Sequence, residues 1–220
     1  SPWRGANEEF ATLLPDDGSD AHLRIQRTAS ASCGSHIDLH VKDVRSGVED
    51  CLRLEASIVA DHVGYVVLQT PGGLPFCVVA HHGERRRQRP VALGDSGPKT
   101  LLDQLSVDVD SQAFDDEVRF WAAITGRGAL AARRPEFVPL ARQPAMPLRI
   151  MLQRRTKPAG ATGCHLDFAC DDVAAATQAH WARGASVVST HRYWTVLADP
   201  SGTHYCLTAR LPETGTLATT

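Results

Sequence analysis

The stretch CHLDFACDDVAAATQAHWARGASVVSTHRYWTVLADPSGTHYCL (164–207) decides the fold, because the chain carries it twice. Moved back by 129 positions it lies without a gap on SHIDLHVKDVRSGVEDCLRLEASIVADHVGYVVLQTPGGLPFCV (35–78). His165 then falls on His36, Asp167 on Asp38, Asp172-Val173 on Asp43-Val44 and Trp194 on Tyr65. Further on, Val196-Leu197, Pro200, Gly202 and Cys206 meet Val67-Leu68, Pro71, Gly73 and Cys77. One register held over more than forty residues is an internal duplication, the mark of a fold assembled from repeated units.

Both copies share one pattern. A short strand opens each (HIDLHV, HLDFAC), with His and Asp two apart and therefore on one face. An Asp follows as a candidate N-cap. A helix then shows apolar spacing at Val44, Val48, Cys51 and Leu52, or at Val173, Ala176, Ala179 and His180. Three β-rich segments complete the unit, SIVAD, YVVLQT and PFCVVA or SVVST, YWTVLA and HYCLTA, with a Pro-x-Gly turn between the last two. The unit is βαβββ, and the fold class is α+β.

Composition narrows the function. At 220 residues with 43% apolar content the chain can bury ordinary cores, and the repeat divides it into two halves. A net charge of −2 argues against a nucleic-acid or membrane partner, and no apolar run nears the length of a membrane span. No signal peptide opens the sequence, so a cytoplasmic protein is expected. Cys51, Cys77, Cys170 and Cys206 sit at apolar-patterned positions without any CxxC, which reads as reduced, buried thiols.

Taken in order, residues 1–80 form the first half and 81–100 a linker, with 101–210 the second half and 211–220 a flexible tail. Residues 1–28 read as a loop and two strands, EFATLLP and AHLRIQR, which a shift of 127 places on EFVPL (136–140) and the IMLQR strand (150–154). Ahead of Glu136 the second half has a further strand and helix, QLSVDVDSQAFDDEVRFWAAITG, with an apolar stripe at Phe114, Val118, Trp121 and Ile124 and a stop at Gly126. The first half has no counterpart, so its first module is expected to lack the opening strand and helix. Segments 29–34 and 155–163 join modules, and the Arg85-Arg86-Arg87 run reads as a solvated linker face in preference to an anion site.

Several side chains point to chemistry. Asp38 and Asp167 should share the inward face with His36 and His165. Each His-Asp pair is either an acid–base pair able to take a proton next to a carbonyl, or an anchor bonded to Arg24, Arg149 or backbone amides. Tyr65 and Trp194 are either core or the floor of a pocket for a flat ligand. His40, His191 and His204 have no matching partner in the repeat and read as surface residues. At the helix end, copy two places Gly184 where copy one has Glu55, a poorer residue for a left-handed cap. The working pocket is therefore expected in the second half.

Tandem βαβββ modules, an opening HxDxxVxDV strand and a closing ADPSGTHYCL strand resemble the glyoxalase / bleomycin-resistance / dioxygenase superfamily, also called vicinal oxygen chelate proteins. The likeness spans residues 3–210. It implies two half-open eight-stranded barrels with a ligand cavity on the concave face and, in metal-dependent members, a divalent ion held by His and Glu. Carried over position by position, the ligand sites fall on His165, Cys206 and Gln104, with Met151 or Gln153 as the last. In the first half they fall on His36 and Cys77. This set has no carboxylate, so a divalent metal (Zn, Ni, Fe or Mn) is expected to bind weakly, with none tightly held.

The resemblance leaves two classes of function open. One is an enzyme, a lyase, isomerase or dioxygenase-related catalyst with His165 and Asp167 catalytic and with Trp194, Gln153, Gln104, Asp38 and Tyr65 contacting substrate. The other is a metal-free protein that sequesters a drug or secondary metabolite. In both the partner is a small molecule, and the protein is a monomer (a pseudo-dimer) or a homodimer. A packed barrel without a cavity would instead mark a degenerate scaffold.

Overall fold

The structure, a computed structural model, describes residues 2–4, 9–28, 34–143, 146–155 and 162–217. The joins expected at 29–34 and 155–163 and the end of the tail lie wholly or largely outside them. The first half carries β1 (Pro2–Arg4), β2 (Phe10–Leu13), β3 (Arg24–Gln26), β4 (Ile37–Val41), α1 (Val44–Arg53), β5 (Ser57–His62), β6 (Tyr65–Gln69) and β7 (Pro75–Ala80). Then come β8 (Val91–Ala92), β9 (Lys99–Asp110), α2 (Phe114–Thr125), β10 (Phe137–Pro139), β11 (Arg149–Arg155) and β12 (Gly163–Cys170). The chain continues with α3 (Val173–Trp181), β13 (Ser186–Thr190), β14 (Trp194–Ala198) and β15 (His204–Thr208). Both repeated units therefore fold as strand, helix and three strands.

Local chemistry sets these limits. Asp43 caps α1 by accepting the Ser46 N–H at 2.7 Å, and Asp172 caps α3 by accepting the Ala175 N–H at 2.9 Å. α2 has no side-chain cap, but Asp115, Asp116 and Glu117 fill its first turn, where the helix dipole favours negative charge. It stops at Gly126, which takes the left-handed φ of 63°.

The sheets are open. In the second half the strand order is β10-β11-β9-β12-β15-β14-β13 with β8 on β9, eight strands in one sheet. The antiparallel β9–β12 pair joins its two modules. The first half does not build the second eight-stranded sheet that the resemblance implies. It forms a three-stranded sheet, β1-β2-β3, and a separate four-stranded one, β4-β7-β6-β5. The reason lies at β4. Its counterpart β12 pairs on one side with β15 and on the other with β9, whereas β4 pairs only with β7 among the described residues. The shift of 127 nevertheless survives, because the Ala129–Leu140 bridge repeats the Pro2–Leu13 pairing of β1 with β2. The module opening the second half thus has three strands and a single bridge where a fourth strand was expected.

One large core runs through both halves. It gathers Val48, Cys51, Leu68, Phe76 and Val78 from the first and Val107, Phe114, Phe120, Trp121 and Leu152 from the second. Phe76 sits at its centre, edge-on to Phe120 and Trp121 with both centroid separations at 5.6 Å. A smaller cluster of Cys170, Ala176, Ala185, Leu197 and Leu207 lies under α3. Cys51, Cys77, Cys170 and Cys206 are free and buried. No helix among the described residues is long and apolar enough to cross a membrane.

Two readings based on composition are corrected here. Residues 81–100 are not only a linker, since β8 adds to the large sheet and Arg87 leaves solvent to bond Asp103. Residues 211–217 are not a loose tail. They fold back in a turn with Pro212 and Gly215 buried, and Leu211 donates its N–H to Thr216 O at 2.8 Å.

Candidate functional site

Strand register builds the site. β12 pairs parallel with β15 so that Asp167 lies opposite Cys206, and antiparallel with β9 so that His165 faces Ser106 and Asp167 faces Gln104. Side chains two apart share a face. Gln104, Ser106 and Asp108 of β9 thus meet His165 and Asp167 of β12 and Cys206 of β15. A register shift between Asp167 and Phe168 kinks β12 just beyond the site.

His165 is the hub. Its Nδ1 lies 2.7 Å from Asp108 Oδ2, and its Nε2 turns toward Asp167 Oδ1 at 3.4 Å. The Nε2, Asp167 carboxylate and Cys206 Sγ positions all fall within 4.8 Å of one another. The other oxygen of Asp167, Oδ2, accepts Gln104 Nε2 at 2.6 Å and Ser106 Oγ at 2.7 Å. Oδ1 is buried and makes no hydrogen bond among the described residues. Burial by itself would lower the His165 pKa, but the bond to Asp108 and the neighbouring Asp167 carboxylate and Cys206 sulfur outweigh it and raise the pKa far above the usual imidazole range. Burial also raises the Cys206 thiol.

This cluster lies beside an open cavity of about 460 Å³ that His165, Cys206 and Asp108 line together with Gln153, Trp194 and Tyr205. Trp194 forms part of the wall, stacked on His191 at 4.6 Å and edge-on to Phe137 at 6.4 Å. The sites expected at His165, Cys206, Gln153 and Trp194 therefore come together. Gln104 is 3% exposed and holds Asp167 from behind without reaching the cavity. Asp167 turns to Gln104 and Ser106, while Arg149 bonds Asp103 instead. Of the unmatched histidines, His191 and His204 are exposed and His40 is partly covered, 3.6 Å from Glu84. Asp108 and Ser106 were not singled out in the sequence.

The first half repeats the cluster in the open. His36, Asp38 and Cys77 are also mutually within 4.8 Å, and Asp38 lies opposite Cys77 as Asp167 lies opposite Cys206. Here the anchor reading of Asp38 holds, for Arg24 Nη1 donates to it at 3.1 Å. The bond to Asp38, aided by Cys77, lifts the His36 pKa to about 9. His36 is 43% exposed at its side chain against 18% for His165. Among the described residues no strand pairs with β4 on the side away from β7, and a first-half cavity of about 310 Å³ is lined by Arg24, His40 and Val79, not by His36. Tyr65 stacks on His62 at 4.7 Å, is 39% exposed and is not among the residues lining that cavity or the one beside His165.

Comparison with known proteins fits this geometry. A family model described as a glyoxalase-like domain matches residues 2–79 and 106–208, most of the chain and both halves. The chain belongs to the glyoxalase-like family. This glyoxalase-like protein shares its fold with solved structures of the vicinal oxygen chelate superfamily. One is 2,2',3-trihydroxybiphenyl 1,2-dioxygenase from Sphingomonas wittichii strain RW1, 14% identical with a TM-score of 0.58 over 94% of this chain and 80% of that one. BphC, a halotolerant catechol dioxygenase, is 13% identical with a TM-score of 0.55 over 94% and 77%. A mutant 4-hydroxymandelate synthase from Streptomyces coelicolor is 14% identical with a TM-score of 0.51 over 79% and 69%. At such identities the likeness is one of fold. No curated protein matches the chain.

Proposed function

We propose that the glyoxalase-like protein binds a small, oxygen-bearing organic molecule in the second-half cavity and acts on it beside a divalent metal held by His165, Asp167 and Cys206. The observation that carries this is that His165, Asp167 and Cys206 each place a ligand atom within 4.8 Å of the others, with Asp167 Oδ1 buried, 3.4 Å from His165 Nε2 and without a hydrogen bond among the described residues. Buried carboxylate oxygens are almost always bonded, and one left free between two further donors suits a cation. The carboxylate missing from the donor set expected from the resemblance would be supplied by Asp167. The negative charge that keeps a proton on His165 equally favours a metal ion in its place.

Each residue has a task in this reading. Asp108, on the far nitrogen of His165, fixes the ring so that Nε2 faces the cavity, an outer contact common behind metal-binding histidines. Gln104 and Ser106 hold Asp167 so that Oδ1 stays presented. Trp194 offers a flat wall, and Gln153 offers an amide to a substrate oxygen or nitrogen. A bound metal would act as a Lewis acid on a substrate oxygen. Imidazole, carboxylate and thiolate together suit zinc, an ion without redox chemistry. That favours proton shifts next to a carbonyl, lyase- or isomerase-type reactions, over ring-cleaving oxygenation.

A second reading rests on the ion pairs already formed. Asp108 and Asp167 both pair with His165, so its charge is already balanced, which suits a protein that sequesters a flat metabolite against Trp194. Elemental analysis of purified protein, followed by zinc titration, separates the two. The metal reading expects one zinc per chain, lost in Asp167→Asn and Cys206→Ser. Wild-type protein that takes up no zinc while still binding aromatic ligands with Trp194 quenching would leave only sequestration.

A further inference from the structure

At the other end of β9 from Asp108, arginines crowd around a single carboxylate. Asp103 is 1% exposed and accepts Arg87 Nη2 at 2.9 Å, Arg142 Nη1 at 3.0 Å and an Nη2 bond from Arg149. Arg149 Nη1 and Arg210 Nη1 converge on a different acceptor, the Gly215 carbonyl oxygen, at 2.7 and 3.0 Å. Arg127 is 3% exposed and near enough to Arg142 for their charges to repel. The acid that balances this group besides Asp103 is Asp167, felt by Arg149 and Arg210 but already shared among Gln104, Ser106 and His165. Among the described residues five positive charges thus face two negative ones.

That surplus sits where water is scarce. Burial pulls down the pKa of Arg87, Arg127 and Arg149, and that of Arg210 to about 10. The Nε atoms of Arg87, Arg127 and Arg149 are buried and have no acceptor among the described residues. Buried charge is retained when something neutralises it, and guanidinium forks match the geometry of oxyanions. The Gly215 carbonyl supplies lone pairs but no net charge. It is brought there by the turn of residues 211–217, where Gly215 adopts φ +70°. A Cβ at Gly215 would stand 3.0 Å from Arg142 Nη1 and 3.2 Å from Asp103 Oδ1.

We infer that Arg87, Arg142, Arg149 and Arg210 form a binding site for a multivalent oxyanion of phosphate character, with the Gly215 carbonyl standing where one of its oxygens would bind. The C-terminal turn and the anion then compete for the same donors. This site shares no side chain with the metal reading, although Asp167 offsets part of the charge on Arg149 and Arg210.

Calorimetric titration of chelator-treated full chain with inorganic phosphate, chloride holding ionic strength constant, tests it. Saturable one-site binding is expected, at least about tenfold weaker in Arg142→Gln and in Arg87→Gln, each change removing one charge-assisted bond. Gly215→Ala should bind phosphate more tightly, since the turn would be pushed off its donors. Circular dichroism identifies folded variants, and Arg87→Gln decides if Arg142→Gln does not fold. Heats no larger than those of dilution, or folded Gln variants that bind phosphate like wild type, would overturn the site. Weaker binding by folded Gly215→Ala would overturn the competition.

Discussion

Glu117, in the first turn of α2, accepts the backbone N–H of Gly72 at 3.0 Å, a residue 45 positions earlier in the other half of the chain. The same carboxylate accepts Thr70 Oγ1 at 2.7 Å and Trp121 Nε1 at 3.3 Å, and it is wholly buried. Burial raises its pKa above 4.5 although these bonds pull the other way. Glu117→Ala strands three buried donors and opens a void, so urea denaturation should show a loss of about 2–4 kcal/mol.

The same carboxyl group predicts a pH effect with a definite sign. A raised folded-state pKa means that the native protein holds this proton more tightly than the unfolded chain. The resulting stabilisation is complete below about pH 4.5 and is lost as pH rises through the folded-state pKa. Glu117→Gln cannot ionise. Wild-type stability should therefore fall relative to Glu117→Gln as pH rises from 4.5, and parallel stability profiles for the two would contradict this.

Asp108 is a positioning residue for His165. Asp108→Asn should keep one zinc per chain but weaken the affinity by about 10–100-fold, as loss of an outer partner of a metal-binding histidine commonly does. Competition with a colorimetric chelator reads the affinity, and elemental analysis reads the stoichiometry. An unchanged affinity would show that the ring needs no such support.

Glu55 takes φ 67°, the one positive φ outside glycine among the described residues, and its repeat partner Gly184 takes φ 96°. A side chain there is strained by about 1 kcal/mol. Glu55→Gly should therefore raise stability by somewhat less than that, after the added freedom of the unfolded chain is counted, by about 0.5 kcal/mol. Gly184→Ala should lower it, because a side chain at φ 96° is strained even though its Cβ would meet only Pro200 Cγ, at 3.4 Å. Thermal melts of both variants test the pair.

Much of this was legible because it is local. The repeat, the Asp caps, the Glu55–Gly184 contrast and the His-Asp faces follow from spacing along the chain. Asp108 was hidden because it reaches His165 through antiparallel pairing across 57 residues, although QLSVDVD alternates polar and apolar residues with the correct period. Arg87 read as part of a solvated run because composition does not show which of three neighbouring arginines turns inward. The split of the first half into two sheets depends on which strand stands beside β4, a tertiary fact that no propensity encodes.

The shared interior around Phe76, Phe120 and Trp121 carries a consequence for how this chain can change over generations. Its two copies began alike, yet the first is not free to wander, since any change of ring at Phe76 must be answered by a ring of matching shape on α2. Divergence is thereby steered to the rims, where one imidazole could stay sheltered while its twin was left open to water.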